Sequence, residues 1–439
     1  MLHKIQGEMN WLGAISITIH VVQQGETLWT ISQRYNVPVA EIISANELES
    51  PDRLPIGMSL VIPTAKRTHI VQSGETLSAI AGRYGVKVQD LVSANSIRDI
   101  NLIAVGTTLV IPMHKPIIDV NAYTISTGKT GAQEILEVGD YLTYWMPFAY
   151  TIREDGGLDA VDDEAMLEAA DEKDIVPVLC ITNFSATESG SRLASTLLNS
   201  EDLQNRLLTN LLTIMRDKGY KGINVDFENV FPADRENYNQ FLQRAVDRLH
   251  PEGYFVSTAL APKTSSEQRG LLYEAHDYEA HGRIVDFVVL MTYEWGYRFG
   301  PPQAISPLNQ IKRVLDYAVT VIPRDKIFFG FQIYARDWLL PHEQGQEAET
   351  FSQQEAIRRA TEHWSAIQFD PVAQSPFFRY TDEQGRQHEV WFEDARSAQA
   401  KFDLVKQYNL RGISYWVLGY PFPQNWLLLE DNFTIRKRR

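Results

Sequence analysis

The sequence predicts an α/β protein: a closed (β/α)8 barrel with a small α+β insertion, preceded by two copies of a small βααβ unit. Three observations carry this expectation. The N-terminal quarter repeats itself in one register, which marks a duplicated supersecondary unit. From about residue 114, apolar strand-like runs alternate with amphipathic helical stretches, as in a parallel sheet. Eight such units in roughly 330 residues, with no glycine-rich phosphate fingerprint, favour a closed ring over an open doubly wound sheet.

Residues 1–17 read as a leader. Trp11–Ile19 is mildly apolar but short, holds Ser16 and Thr18, and is preceded by Lys4 with no small-residue cleavage site, so no signal peptide is expected. Residues 18–64 then recur as 68–113 without gaps: His20, Gly25, Glu26, Thr27, Leu28, Ile31, Tyr35, Asn46, Gly57 and Pro63 return as His69, Gly74, Glu75, Thr76, Leu77, Ile80, Tyr84, Asn95, Gly106 and Pro112. Each unit reads strand, helix, helix, strand. In the first, Ile19–Val22 alternates, Thr27 is a helix cap, Leu28, Ile31 and Tyr35 have helical spacing, and Ser59–Ile62 closes the unit.

The pattern V-x-x-G-E-T-L-x-x-I-x-x-R-Y-x-V, followed by S-A-N and L-V-I-P, resembles the LysM module in both copies. LysM modules bind N-acetylglucosamine in peptidoglycan or chitin. The resemblance implies sugar contacts from Gly25, Glu26, Thr27, Leu28, Ile56 and Gly57, and in the second copy from Gly74, Glu75, Thr76, Leu77, Val105 and Gly106. The threonines read equally as helix caps and the glycines as turn residues. A short charged linker, Thr64–Arg67, would let two weak sites act together on one polymer.

The barrel strands are expected at Ile117–Tyr123, Tyr141–Ala149, Ile175–Thr182, Gly222–Phe227, Tyr254–Leu260, Val285–Thr292, Ile327–Ile333 and Gly412–Val417. Helices between them include Glu201–Lys218, Arg235–Leu249, Pro307–Val321 and Ala395–Tyr408. Within residues 114–439, the long stretch before the last strand reads as an insertion at about 335–400. It holds a helix over Gln353–Ile367 and a hairpin of Phe377–Tyr380 and His388–Phe392 around Asp382–Gly385.

Composition narrows the function. The net charge of -15 argues against nucleic-acid binding. No apolar run is long enough for a membrane span. Cys180 is the single cysteine, so no internal disulfide can form. The histidines show no H-E-x-x-H and no close pair beyond His276 and His281, so neither metal nor cofactor is expected. Nothing in the sequence assigns an oligomeric state.

The chemistry centres on Gly222–Glu228. Strand side chains alternate, so Asn224, Asp226 and Glu228 point one way at about 6–7 Å intervals while Ile223, Val225 and Phe227 face the other layer. Two acids on a buried strand are expected only where they are paired, hydrated or used. In a (β/α)8 barrel the active site lies at the carboxyl ends of the strands. Asn183, Glu228, Tyr293, Glu294 and Trp416 all fall there.

The segments K-G-I-N-V-D-F-E (221–228), M-T-Y-E (291–294) and G-I-S-Y-W (412–416) resemble the chitinase-type family 18 glycoside hydrolases, whose pattern is D-x-x-D-x-D-x-E followed by M-x-Y-D. This chain departs from it at Lys221, Asn224 and Glu294. The resemblance implies substrate-assisted hydrolysis, in which the sugar's own 2-acetamido group replaces a protein nucleophile. Glu228 would be the acid and base, Asp226 would orient the acetamido N–H, Tyr293 would hydrogen-bond its oxygen, and Trp416 would floor the sugar. Asn183, Asn224, Glu294, Tyr123 and Tyr334 are expected to contact substrate. Burial and the Asp226 charge are expected to raise the pKa of Glu228.

Paired LysM-like units, the N-V-D-F-E variant and the missing signal peptide together resemble the cortical fragment-lytic N-acetylglucosaminidases of endospore-forming bacteria. The expected partner is peptidoglycan or another N-acetylglucosamine polymer, and the expected location is the spore cortex and coat region. A chitinase acting on chitin oligomers, or a non-catalytic wall-binding coat protein, stays open at this point.

Overall fold

The computed structural model describes residues 15–65, 68–84, 86–100, 103–112, 115–185 and 189–438. Most of the expected leader lies outside them. Residues 15–17 instead belong to strand β1 (Ile15–Val21), which pairs antiparallel with β2 (Ser59–Ala65) around helices α1 (Leu28–Tyr35) and α2 (Val39–Asn46). The second unit repeats this with β3 (Thr68–Ile70), α3 (Leu77–Tyr84), α4 (Val88–Ala94) and β4 (Thr108–Val110). Each unit is pinned by its repeated asparagine. Asn46 donates to the Ile42 and Val61 carbonyls and accepts from Val61 N–H, all at 2.8 Å, and Asn95 does the same with Leu91 and Val110.

The large domain is built on a curled parallel sheet. Its strands are β5 (Ile117–Thr124), β6 (Tyr144–Pro147), β7 (Tyr150–Thr151), β8 (Val176–Pro177), β9 (Leu179–Thr182), β10 (Gly222–Asp226), β11 (Phe255–Leu260), β12 (Phe287–Leu290), β13 (Ile327–Gln332) and β19 (Gly412–Trp416). The pairing path runs β7-β9-β10-β11-β12-β13-β19-β5-β6-β8. It does not form one continuous ring. The expected third strand, Ile175–Thr182, is interrupted at Val178: its first part pairs with β6 and its second with β7 and β10. The expected second strand starts later than predicted, because Gly139–Tyr141 forms a turn of 3-10 helix.

Alternation sorts the core into two faces. Outside the sheet, Ile223, Val225 and Phe227 join the cluster beneath the helices, with Phe227 stacked on Tyr238 and Phe241 of the helix Arg235–Leu249. Inside it, Tyr144, Met146, Val178, Cys180, Phe287 and Phe328 fill the base of the curl. The polar residues of β10 are thereby lifted toward its carboxyl end.

The insertion is a five-stranded antiparallel sheet of β14 (Tyr334–Leu340), β15 (Glu349–Ser352), β16 (Gln368–Asp370), β17 (Ser375–Thr381) and β18 (Gln387–Trp391), with the helix Gln353–Glu362. The hairpin is the expected one, extended by two strands on one side and one on the other. Against this sheet sits the first small unit. Val22, Leu28, Ile31, Ile42 and Leu60 share one buried cluster with Ala335, Phe351, Ala356, Phe378 and Val390. Gln424 donates to the Asn46 side chain at 2.8 Å and to the Ser59 carbonyl at 3.0 Å. The first unit is therefore built into the large domain. The second closes on its own cluster of Val71, Leu77, Ile80, Leu91 and Leu109.

Candidate active site

A cavity of about 210 Å³ opens at the carboxyl end of the sheet, lined by Tyr123, Asp226, Glu228, Tyr293, Glu294 and Trp416 together with Ala259, Ala261, Pro262, Leu272, Tyr273, Met291 and Trp295. Four strands and the segment that follows β12 contribute, so side chains far apart in sequence meet here. Asp226 is buried, and its Oδ1 has no hydrogen-bond partner. Glu228, two residues on, is half-buried. Burial first, then the Glu294 charge, pushes the Glu228 carboxyl up to about 7. Burial and then the Glu228 charge push Asp226 up as well. Two acids so placed cannot both ionise readily, so the pair retains a proton near neutral pH. The sequence reading named Asp226 as the charge acting on Glu228; the larger neighbouring charge is Glu294.

Asn183 and Asn224 support the pair from behind and do not line the cavity. The Asn183 side chain accepts from Glu228 N–H at 2.9 Å and donates to the Glu228 carbonyl at 2.7 Å, fixing the backbone of the acid. Asn224 is fully buried; it accepts from the Tyr123 hydroxyl at 3.0 Å and donates to Ser257 Oγ at 3.1 Å. Both asparagines, expected to contact substrate, make these bonds within the protein and are not among the residues that line the cavity.

Glu294 is anchored in turn. It accepts from Arg336 at 2.8 and 2.9 Å and from the Tyr334 hydroxyl, and its backbone holds φ 71°. Tyr334, also expected to contact substrate, is buried and is not among the residues that line the cavity. Arg336 carried no sequence signal, because its role depends on the insertion strand β14 folding across the cleft. Tyr293 is pushed well above its ordinary range by burial and then by the Asp226 charge, so its hydroxyl stays protonated and can donate. The Trp416 ring meets Tyr123 and Phe148 edge-on, at 5.5 and 4.9 Å between centroids, leaving an indole on the cavity wall.

The candidate sugar loops of the small units behave differently. Glu26 accepts from Gln23 N–H at 2.9 Å and pairs with His20 at 2.8 Å and Arg34 at 2.6 Å. Glu75 repeats this with Gln72, His69 and Arg83. Both carboxylates brace their own loops. Thr27 and Thr76 cap helices through Thr30 and Ala79 N–H groups. Leu28 and Leu77 are core. Gly25, Gly57, Gly74 and Gly106 have positive φ, so they serve the turns, while Ile56 and Val105 stay exposed.

Among the described residues, no cluster of histidine, cysteine and acidic side chains could hold a metal ion, and no helix is long and apolar enough to cross a membrane. The family described as glycosyl hydrolases family 18 matches residues 184–420, and the LysM domain matches residues 20–63 and 69–112. The chain is 51% identical over 426 residues to the cortical fragment-lytic enzyme of Bacillus subtilis (strain 168), covering 96% of this chain and 99% of that protein. It is 46% identical over 303 residues to the cortical fragment-lytic enzyme of Bacillus cereus, covering 69% and 70% respectively. The crystal structure of the Bacillus megaterium QM B1551 spore cortex-lytic enzyme SleL superposes with a TM-score of 0.85 at 40% identity, over 97% of this chain and 100% of that one. With its paired acids at the mouth of a curled parallel sheet and two LysM domains ahead of it, the chain belongs to the family 18 glycosyl hydrolases and is a glycoside hydrolase.

Proposed function

We propose that this enzyme hydrolyses N-acetylglucosaminyl bonds in peptidoglycan, with spore cortex fragments as substrate during germination, by substrate-assisted catalysis with retention of configuration. The single observation that carries the reading is that Asp226 and Glu228 line one cavity together, with Asp226 Oδ1 unpartnered. The chemistry follows from that placement. Glu228 delivers its proton to the bridging glycosidic oxygen as the bond to C1 breaks. The substrate's acetamido oxygen takes the place of the leaving group at C1, forming a cyclic oxazolinium ion. Asp226 Oδ1 accepts the acetamido N–H and offsets the positive charge; Tyr293 donates to the acetamido oxygen and Trp416 supports the ring's apolar face. Glu228, now ionised, takes a proton from water, which opens the oxazolinium at C1 from the side the leaving group left. Two inversions give retention, and both carboxyls return to their starting states.

The domain limits that suit this reading are 18–64 and 68–113 for the LysM domains and 114–439 for the catalytic part. A closed eight-stranded barrel fits that part, since Val178 N–H donates to the Trp145 carbonyl at 2.9 Å across the gap between the two ends of the pairing path. The resemblance to spore enzymes supports a spore location, and the LysM domains support binding to an N-acetylglucosamine polymer. Product analysis tests the substrate: release of N-acetylglucosaminyl-ended products from cortex fragments is expected, and exclusive cleavage of chitin oligomers would replace cortex with chitin.

A further inference from the structure

The first LysM domain meets the insertion along a seam where exposed aromatic surface has no packing role. Ile367 N–H donates to the Ile56 carbonyl at 2.8 Å, and Arg396 donates to the Gly57 carbonyl at 3.0 Å. A Cβ at Gly57 would collide with the Ile367 carbonyl, so this loop is held hard against the catalytic body. Three residues before Ile367 stands Trp364. The residue is 72% exposed, and its backbone holds φ 51°, just past the end of the helix Gln353–Glu362. That is a helix-end position where glycine or asparagine is favoured, and a bulky side chain there costs backbone energy. The indole recovers little of that cost by burial. The Arg53 guanidinium of the LysM domain lies 5.1 Å from the ring centroid.

The two LysM copies differ here. The first exposes Ile56 and Trp29, the second Val105 and, in the place of Trp29, Ser78. At Gly106, among the described residues, an added Cβ would meet nothing within 4 Å, unlike at Gly57. Aromatic rings with one open face suit the C–H face of a pyranose, and an adjacent guanidinium suits its hydroxyls and acetamido oxygen.

We propose that Trp364, with Arg53 over its ring and Ile56 on the adjoining loop, forms a sugar-stacking platform across this seam, which takes a glycan strand of N-acetylated hexosamines. The platform rests on the amino-sugar reading above and assigns to the catalytic body a share in polymer capture. Because the first LysM domain is fixed to that body, the platform holds the strand at a set distance from the cleft.

The test uses the full chain as wild type, Trp364→Ala and Trp364→Phe, measuring co-sedimentation with insoluble peptidoglycan, turnover of an N-acetylglucosamine trimer, and the thermal midpoint. For Trp364→Ala the ratio of sacculus affinity to trimer turnover should fall about three- to tenfold, with Phe restoring it and the midpoint within about a degree of wild type. An unchanged ratio overturns the platform. So does a loss accompanied by a lower midpoint that Phe does not restore, since the ring is then a clamp between domains. If the wild type sediments but cleaves neither probe, the hydrolytic reading alone falls, and the sedimentation comparison still decides the platform.

Discussion

Removing the Asn183 side chain should damage catalysis without touching the cavity wall. In Asn183→Ala, Glu228 N–H loses its acceptor at 2.9 Å, and the Glu228 and Gly190 carbonyls lose donors at 2.7 and 3.0 Å. Leaving a buried N–H unmet costs about 1–3 kcal/mol and each of the two lost carbonyl bonds about 1 kcal/mol, so a destabilisation of about 3–5 kcal/mol is expected. The kinetic effect is separate. Without its backbone anchor the Glu228 carboxyl samples positions off the line to the glycosidic oxygen, and a misplacement on the order of 1 Å costs about 100-fold. The assay is kcat and KM on soluble peptidoglycan fragments at a temperature where the variant is folded by circular dichroism. The expected result is kcat lowered about 10- to 100-fold with KM within a factor of about three. Asn183→Asp is the informative companion: it keeps the acceptor for Glu228 N–H, loses the donor, and adds a negative charge nearby that should raise the pKa of Glu228. A Asn183→Ala enzyme with wild-type kcat and a lowered melting temperature would refute the positioning argument and leave Asn183 a structural residue only.

Three further outcomes follow from the same geometry. Asn46→Ala should cost more stability than Asn95→Ala, because Asn46 also accepts from Gln424, which would keep only its bond to the Ser59 carbonyl, a difference of about 1 kcal/mol in thermal unfolding. Activity should need protonated Glu228, so kcat/KM should fall as pH rises past about 7, and Glu294→Gln, which removes the neighbouring negative charge, should move that fall to lower pH in a pH-rate profile. His276 is buried between Ala261 N–H and the Phe227 carbonyl, and burial lowers its pKa from 6.5 to about 4. The unfolded chain then binds the proton first as pH falls below about 6.5, so stability present above that pH is lost toward pH 4, by about 3 kcal/mol for this group. Melting temperature against pH over this window reads it.

Much of the fold was legible because the strands are apolar runs and the helices have clear periodicity. Gly222–Asp226 was plain from alternation alone: Ile223 and Val225 face the helices while Asp226 faces the cavity. The break at Val178 was not, since Ile175–Thr182 is uniformly apolar and the change of pairing partner depends on strands distant in sequence. The site was half legible. Asp226, Glu228, Tyr293 and Trp416 were found by motif, and they line one cavity. The protein partners of Asn183 and Asn224 were not legible, because a strand-end amide looks the same whether it meets a ligand or a neighbour's backbone. Arg336 and the docking of the first LysM domain left no mark, being made by contacts such as Gln424 to Asn46, 378 residues apart.

The most direct test of the central claim is Glu228→Gln, a near-isosteric change that removes the transferable proton. Cleavage of cortex fragments should fall by about 100- to 10,000-fold while binding to peptidoglycan is retained. Equal turnover by the variant and the wild type would contradict the account.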